Sequence, residues 1–242
     1  MERGQGRLVV ALEVAALGIR ATYLTCRGME NRAADGEFEA LKERICRELA
    51  GRYTDEFLAR DPVMAGFREV RARARRSPRR YPVSIDSLVG TLRRRGSLPS
   101  INLAVDIYNL VSLETRLTIG AHDLARVTGD VHLRLLTGAE RFTPLGGSGP
   151  QRVVPGEYGY VDESGEVLCR LDYKQAESTK VTLETTACFF IVQGNEHTGA
   201  AYLADAARRI ADLLVRFGLA GPGARIRLGG QPFPGAPARE AR

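Results

Sequence analysis

Lysine is nearly absent from the 242-residue chain: Lys42, Lys174 and Lys180 stand against 32 arginines. A bias of that size can follow from genomic base composition, so the arginine total argues less than where the arginines gather. Cysteine and histidine are also scarce. Cys26, Cys46, Cys169 and Cys188 show no paired metal-ligand spacing, and His122, His132 and His197 are scattered, so neither a metal nor a cofactor is expected. No GxSxG elbow is present. Gly146, Gly147 and Gly149 in PLGGSGPQ are not followed by GK[ST], and Pro150 stands where a helix should start, which points to a loop and not a nucleotide cradle. The apolar stretch at 8–19 is interrupted by Glu13, is too short to span a bilayer and lacks a cleavage site. It reads as buried strands of a protein without a membrane partner, and four free thiols fit a reducing cytoplasm. No internal repeat is visible.

What remains is an ordinary globular composition, 44% hydrophobic and 26% charged, consistent with one large domain or two small ones. Phe38, Leu41, Ile45 and Leu49 recur at helical spacing. Asp61 and Pro62 open a second helix that Ser77-Pro78 should end, and Ser84 is placed to cap a third that Gly96 closes. Short strands follow in LTIGAHDL, VHLRLLTG and GEYGYVDESGEVLCRLDY, with a hairpin turn at Asp162 to Gly165, then the apolar VTLETTACFFIVQG. Residues 201–217 place Leu203, Ala206, Ile210, Leu213 and Leu214 on one face of a final helix with Thr198 as its cap. The pattern predicts an α+β fold, a mixed β-sheet with packing helices, over residues 1–220. The Gly- and Pro-rich residues 221–242 read as a loose tail.

The segment SINLAVDIYNLVSLE is the least ordinary part. On a helix, Asn102, Asp106 and Asn109 fall within roughly 60° of one another. Asn and Asp are poor helix formers, so the stripe needs a reason. Two stay open: a network tying the helix to nearby loops, or a pocket wall facing a polar ligand.

SLPSINLAVDIYNLVSLETRLTIGAHDL, with KVTLETTACFF after it, resembles the B3/B4 domain of the bacterial phenylalanyl-tRNA synthetase beta subunit, and more closely the free-standing relatives of that domain. The resemblance covers 64–193 most specifically. It implies a B3/B4-like fold and a hydrolytic editing activity that frees a wrongly attached amino acid from its tRNA, with aminoacylated tRNA as partner. Carried onto this sequence, it makes Asn102, Asp106, Asn109 and His122 the catalytic candidates. Glu184, Asp123, Thr185 and Tyr108 become candidates for binding the amino-acid part. Gly120 stands where the family has a histidine, and His122 is two residues on, on the same face of an extended strand. The alternative is a noncatalytic RNA-binding or amino-acid-sensing module.

A formal charge of +6 adds weight to an anionic partner. Arg75, Arg76, Arg79, Arg80, Arg93 and Arg94, with Lys174, are the candidates for contacting tRNA phosphates. The dipole of the helix that ends at Gly96 offers Arg93 and Arg94 a structural role instead. Tyr158, Tyr160 and Tyr173 are candidates either for stacking on terminal bases or for the core edge.

Overall fold

The computed structural model describes residues 6–77, 79–229 and 231–232. The first apolar stretch is not continuous strand: β1 (Leu8–Val10) gives way to a short helix α1 (Leu12–Ala15), and Gly18, at φ 88°, turns the chain into β2 (Arg20–Arg27). Helix α2 (Gly36–Arg52) is started by Asp35, whose carboxylate accepts from the Phe38 amide at 3.0 Å, and it buries the four apolar residues of its stripe. After α3 (Asp55–Arg60), Asp61 caps α4 (Pro62–Arg73) through the Met64 amide at 3.0 Å. Helix α4 ends at Arg73, ahead of Ser77, where the chain breaks into the left-handed conformation at Arg75.

Helix α5 (Ser84–Arg95) has Val83, not Ser84, at its cap position, and Gly96 in the left-handed conformation closes it. Helix α6 (Leu103–Thr115) leads into β3 (Thr118–Asp123). Then come β4 (Val131–Leu135), β5 (Tyr158–Asp162), β6 (Val167–Arg170) and the two-residue β7 (Lys174–Gln175). Asp162 shapes the hairpin turn after β5 by accepting from the Ser164 and Glu166 amides. Of VTLETTACFFIVQG only β8 (Ala187–Gly194) is strand; the preceding residues form a loop. Helix α7 (Ala200–Arg216) starts at Gly199, while Thr198 serves the turn before it by bonding Asn195. The supposed loose tail contains β9 (Arg225–Leu228) and β10 (Gln231–Pro232), and Ile226 is buried; residues 233–242 lie outside the described residues.

The strands form two sheets. One runs β1-β4-β5-β6-β7, with β1 parallel to β4 and the remaining pairs antiparallel; the other, β10-β9-β2-β8-β3, is antiparallel throughout. Strand β8 explains the stacking. Phe189 and Ile191 pack with Leu133, Tyr158 and Leu168 of the first sheet, whereas Cys188, Phe190 and Val192 pack with the helices. Its run is continuously apolar because both faces are covered. The layers are therefore sheet, sheet, helices. All four cysteines are buried. On α7, Ile210, Leu213 and Leu214 are fully buried, and at about 1.5–3 kcal/mol for each side chain this face holds the helix to the second sheet. Among the described residues no helix is long and apolar enough to cross a membrane.

Candidate functional site: a polar cavity where the sheets meet the helices

The three polar residues of α6 separate. Asn102 is the N-cap, with extended backbone (φ −161°, ψ 161°), so it does not follow the 100° progression of the helix wheel. Its Oδ1 accepts from the Val105 amide at 3.1 Å and from Asn31 Nδ2 at 3.0 Å, and its Nδ2 donates to the Val181 carbonyl at 3.3 Å. Asp106 accepts from the Ile101 amide at 3.0 Å and lies 3.6 Å from Lys42, which also bonds Ser100 and Glu39. Burial pushes the Asp106 carboxyl up. These two tie α6 to its neighbours. Asn109, half-buried, is the one that lines a cavity.

That cavity holds about 240 Å³. Helix α6 supplies Tyr108 and Asn109, and α5 supplies Ser84, Ser87, Leu88 and Thr91. The edge strand β3 gives Thr118, Gly120 and His122, which share a face because the strand alternates: they stand opposite Gln193, Ile191 and Phe189 of β8. Tyr160, Asp172, Tyr173 and Gln175 close it from the first sheet. Glycine at 120 makes room for Gln175, whose Nε2 would lie 2.8 Å from a Cβ there. The Gln175 amide therefore covers the place that the family resemblance gives to a histidine side chain. His122 is 1% exposed, bonds Thr179 Oγ1 through Nδ1 at 2.9 Å, and is held by burial at a pKa of about 4. It is a neutral imidazole at pH 7. Burial also raises the Tyr108 hydroxyl, with the Gln175 amide opposing part of the rise.

One wall is a strained turn. Between β6 and β7 the Tyr173 amide bonds the Arg170 carbonyl at 3.1 Å, and Leu171 (φ 49°) and Asp172 (φ 61°) are both left-handed, the geometry of a two-residue I′ hairpin that normally selects Asn and Gly. Each such residue costs about 1 kcal/mol or more. The surroundings hold it there. Leu171 is fully buried, and Asp172 is bridged by both Nη atoms of Arg71 at 2.9 and 3.0 Å. Asp172 also accepts from Tyr158 at 2.6 Å and Gln193 at 3.0 Å, while Arg71 donates to the Leu171 carbonyl. Sequence reasoning missed this assembly and Gln175. The one available signal was a polar LDYKQ between short strands, with no glycine to mark it as a turn.

The residues expected to bind the amino-acid part divide as well. Tyr108 lines the cavity. Asp123 caps the turn after β3 through the Ala125 amide and accepts from Thr185 Oγ1 at 3.0 Å, so this buried pair fastens the 176–186 loop to β3. Glu184 is not on a strand but exposed on that loop, where Thr182 Oγ1 bonds it at 2.6 Å and holds its carboxyl below the usual range. It does not line the cavity. Tyr158 and Tyr160 are core residues; Tyr173 is half-buried at the cavity edge.

The arginine cluster is not one surface. Arg71 is wholly buried, Arg76 pairs with Glu157 at 3.1 Å, Arg93 pairs with Asp55 at 2.7 Å and Arg94 contacts Thr91 at 3.5 Å. Arg75, Arg79 and Arg80 are exposed and have no ion pair among the described residues. Among the described residues the Lys174 ammonium donates to Gln151, at 3.4 Å, and has no ion pair.

Comparison with known proteins agrees with this architecture. A phenylalanine–tRNA ligase beta subunit from Shewanella oneidensis is 46% identical over 55 residues, which are 23% of this chain and 7% of that subunit. An N-terminal fragment of the phenylalanyl-tRNA synthetase beta subunit from Pyrococcus horikoshii superposes with a TM-score of 0.50 at 12% identity, over 94% of this chain and 52% of the fragment. The chain thus spans a small part of the curated relative, and the structural likeness speaks for the fold. The B3/4 domain model matches residues 66–216, which include α5, α6, both faces of the cavity and all of α7, and the chain belongs to the B3/4 domain family.

Proposed function

We propose that the chain hydrolyses the ester of a mischarged aminoacyl-tRNA, acting in trans. The observation that supports it most is the cavity: polar amides, hydroxyls and a neutral imidazole surround a space for one small acyl group, in a domain of the B3/4 family. An aminoacyl ester is reactive, so hydrolysis needs a placed water and donors for the developing oxyanion more than a strong nucleophile. In this reading Asn109 and Gln175 donate to the oxyanion, His122 orients water, and Tyr108 borders the amino-acid side chain. Asn102 and Asp106 act by positioning α6, and Asp123 and Thr185 by holding the loop that carries Glu184. Of the candidate cations, Arg75, Arg79, Arg80 and Lys174 have no ion pair among the described residues and would meet phosphate, and the buried thiols fit a cytoplasmic setting.

The test is amino-acid release from a panel of correctly and incorrectly charged tRNAs. Selective release that falls about a hundredfold in Asn109→Ala, on the scale of a lost oxyanion donor, is the expected result. Release at the spontaneous rate from every tRNA would sink the hydrolytic reading. A noncatalytic tRNA-binding or amino-acid-sensing module is the second reading, and one observation favours it: the Gln175 amide over Gly120 cannot serve as a general base.

A further inference from the structure

A second hollow, of about 290 Å³, opens beside the cavity, and Tyr173 lines both. Arg80, Arg170 and Lys174 stand in its wall without a carboxylate, and Tyr81, Val154 and Leu171 supply the apolar part. The three cations differ in what holds them. Arg170 is bound to Glu157 at 2.6 Å, but the same carboxylate also serves Arg76 at 3.1 Å, so two guanidiniums share one negative charge. Arg80 rests 5.6 Å from the Tyr81 ring centre with no ion pair among the described residues, and Lys174 reaches only an amide oxygen. Two cations with no ion pair among the described residues, beside a third that shares its carboxylate, leave net positive charge in a concavity, and that concentrates anions there.

The shape of that charge selects among anions. A carboxylate is flat and offers two oxygens; a phosphate is tetrahedral and offers two free oxygens as a diester or three as a monoester such as AMP, which suits cationic groups that approach from separate sides. The volume exceeds what the anion needs. At about 30 Å³ for each water-sized unit, the hollow has room for about ten, twice the five heavy atoms of a phosphate, so a sugar can follow it in. Tyr173 then marks where such a sugar would pass toward the neighbouring cavity.

We propose that this hollow binds the phosphate of a ribonucleotide unit, with Arg80 and Lys174 closing on the phosphate oxygens and Arg170 behind them. The inference rests on the hydrolytic reading only for the direction in which the ligand runs; phosphate binding is separable from it. Calorimetric titration of the full chain with AMP, adenosine and inorganic phosphate tests it, alongside an Arg80→Gln/Lys174→Gln double variant. Both residues lie at the surface, outside the Arg71 and Glu157 networks. The expected pattern is AMP binding that inorganic phosphate competes away, that weakens about tenfold in the double variant and that adenosine does not reproduce. Equal affinity for AMP and adenosine, no competition by phosphate, or an unchanged double variant overturns the proposal. AMP binding without tRNA deacylation would leave the phosphate site standing and remove the hydrolytic reading. Deacylation without AMP binding would do the reverse.

Discussion

Arg71→Met should be among the most damaging single changes to the chain, although Arg71 touches no solvent. The guanidinium is 0% exposed and meets both oxygens of Asp172, the Tyr158 hydroxyl, and the carbonyls of Leu171 and Tyr81. Removing it leaves the Asp172 carboxylate buried without its cation, which costs about 3–5 kcal/mol. It also frees a turn that holds two non-glycine residues in the left-handed conformation. Against a total stability of about 5–15 kcal/mol, that is a large fraction. The assay is urea unfolding of the wild type, Arg71→Met, Asp172→Asn and the double variant. Each single variant should lose several kcal/mol, and the double variant should be less destabilised than their sum by about 2 kcal/mol or more, since the second change removes a group the first has orphaned. Additivity within about 0.5 kcal/mol would refute the reasoning, because the strained turn would then be held by something other than this pair.

His122 gives a pH signature. Its folded pKa of about 4 lies below the unfolded value near 6.5, so the folded state refuses a proton that the unfolded chain accepts, and stability falls as pH drops below 6.5. At pH 5 the loss is about 2 kcal/mol, and His122→Gln should lack it; parallel urea midpoints for the two proteins at pH 7 and pH 5 would contradict the assignment. Asn102→Ala should cost about 1–2 kcal/mol in urea unfolding through the lost cap, and Asn102→Asp should recover part of it by keeping the oxygen that accepts from Val105. Gly120→Ala displaces the flexible end of Gln175 and not backbone, so its unfolding free energy in urea should stay within about 1 kcal/mol of wild type while deacylation or ligand affinity falls. An unchanged activity in Gly120→Ala would remove Gln175 from the site.

Elements whose signal is local were legible in the sequence. Helix α2 shows its apolar stripe, α6 is too long for a strand, and α5 stops at a glycine that takes the left-handed conformation. The Asn-Asp-Asn stripe shows where that legibility ends. A helix wheel cannot tell a residue within the helix from its cap, and the extended backbone of Asn102 turns it toward Asn31 and the Val181 carbonyl. Glu184 looked like strand because it lies in the apolar run VTLETTACFFIVQG, yet its part of that run is a loop fixed by side-chain bonds among Thr182, Thr185 and Asp123. Strand β9 is a four-residue RIRL among glycines and prolines, and its pairing with distant β2 on one side and β10 on the other makes it a strand. Gln175 reached the cavity through a turn that carries no glycine to announce it.

The burial of every cysteine has a practical consequence. Cys46 sits on α2, Cys26 and Cys188 face each other across β2 and β8, and Cys169 lies between the sheets. Burial raises all four thiols, so at neutral pH none is a ready nucleophile while the fold is closed. Alkylation in native buffer then reports opening events, and the order in which the four positions become labelled reads out which layer detaches first. The molecule carries its own set of stopwatches: Cys169 times the first sheet, and the other three time the parting of helices from the second.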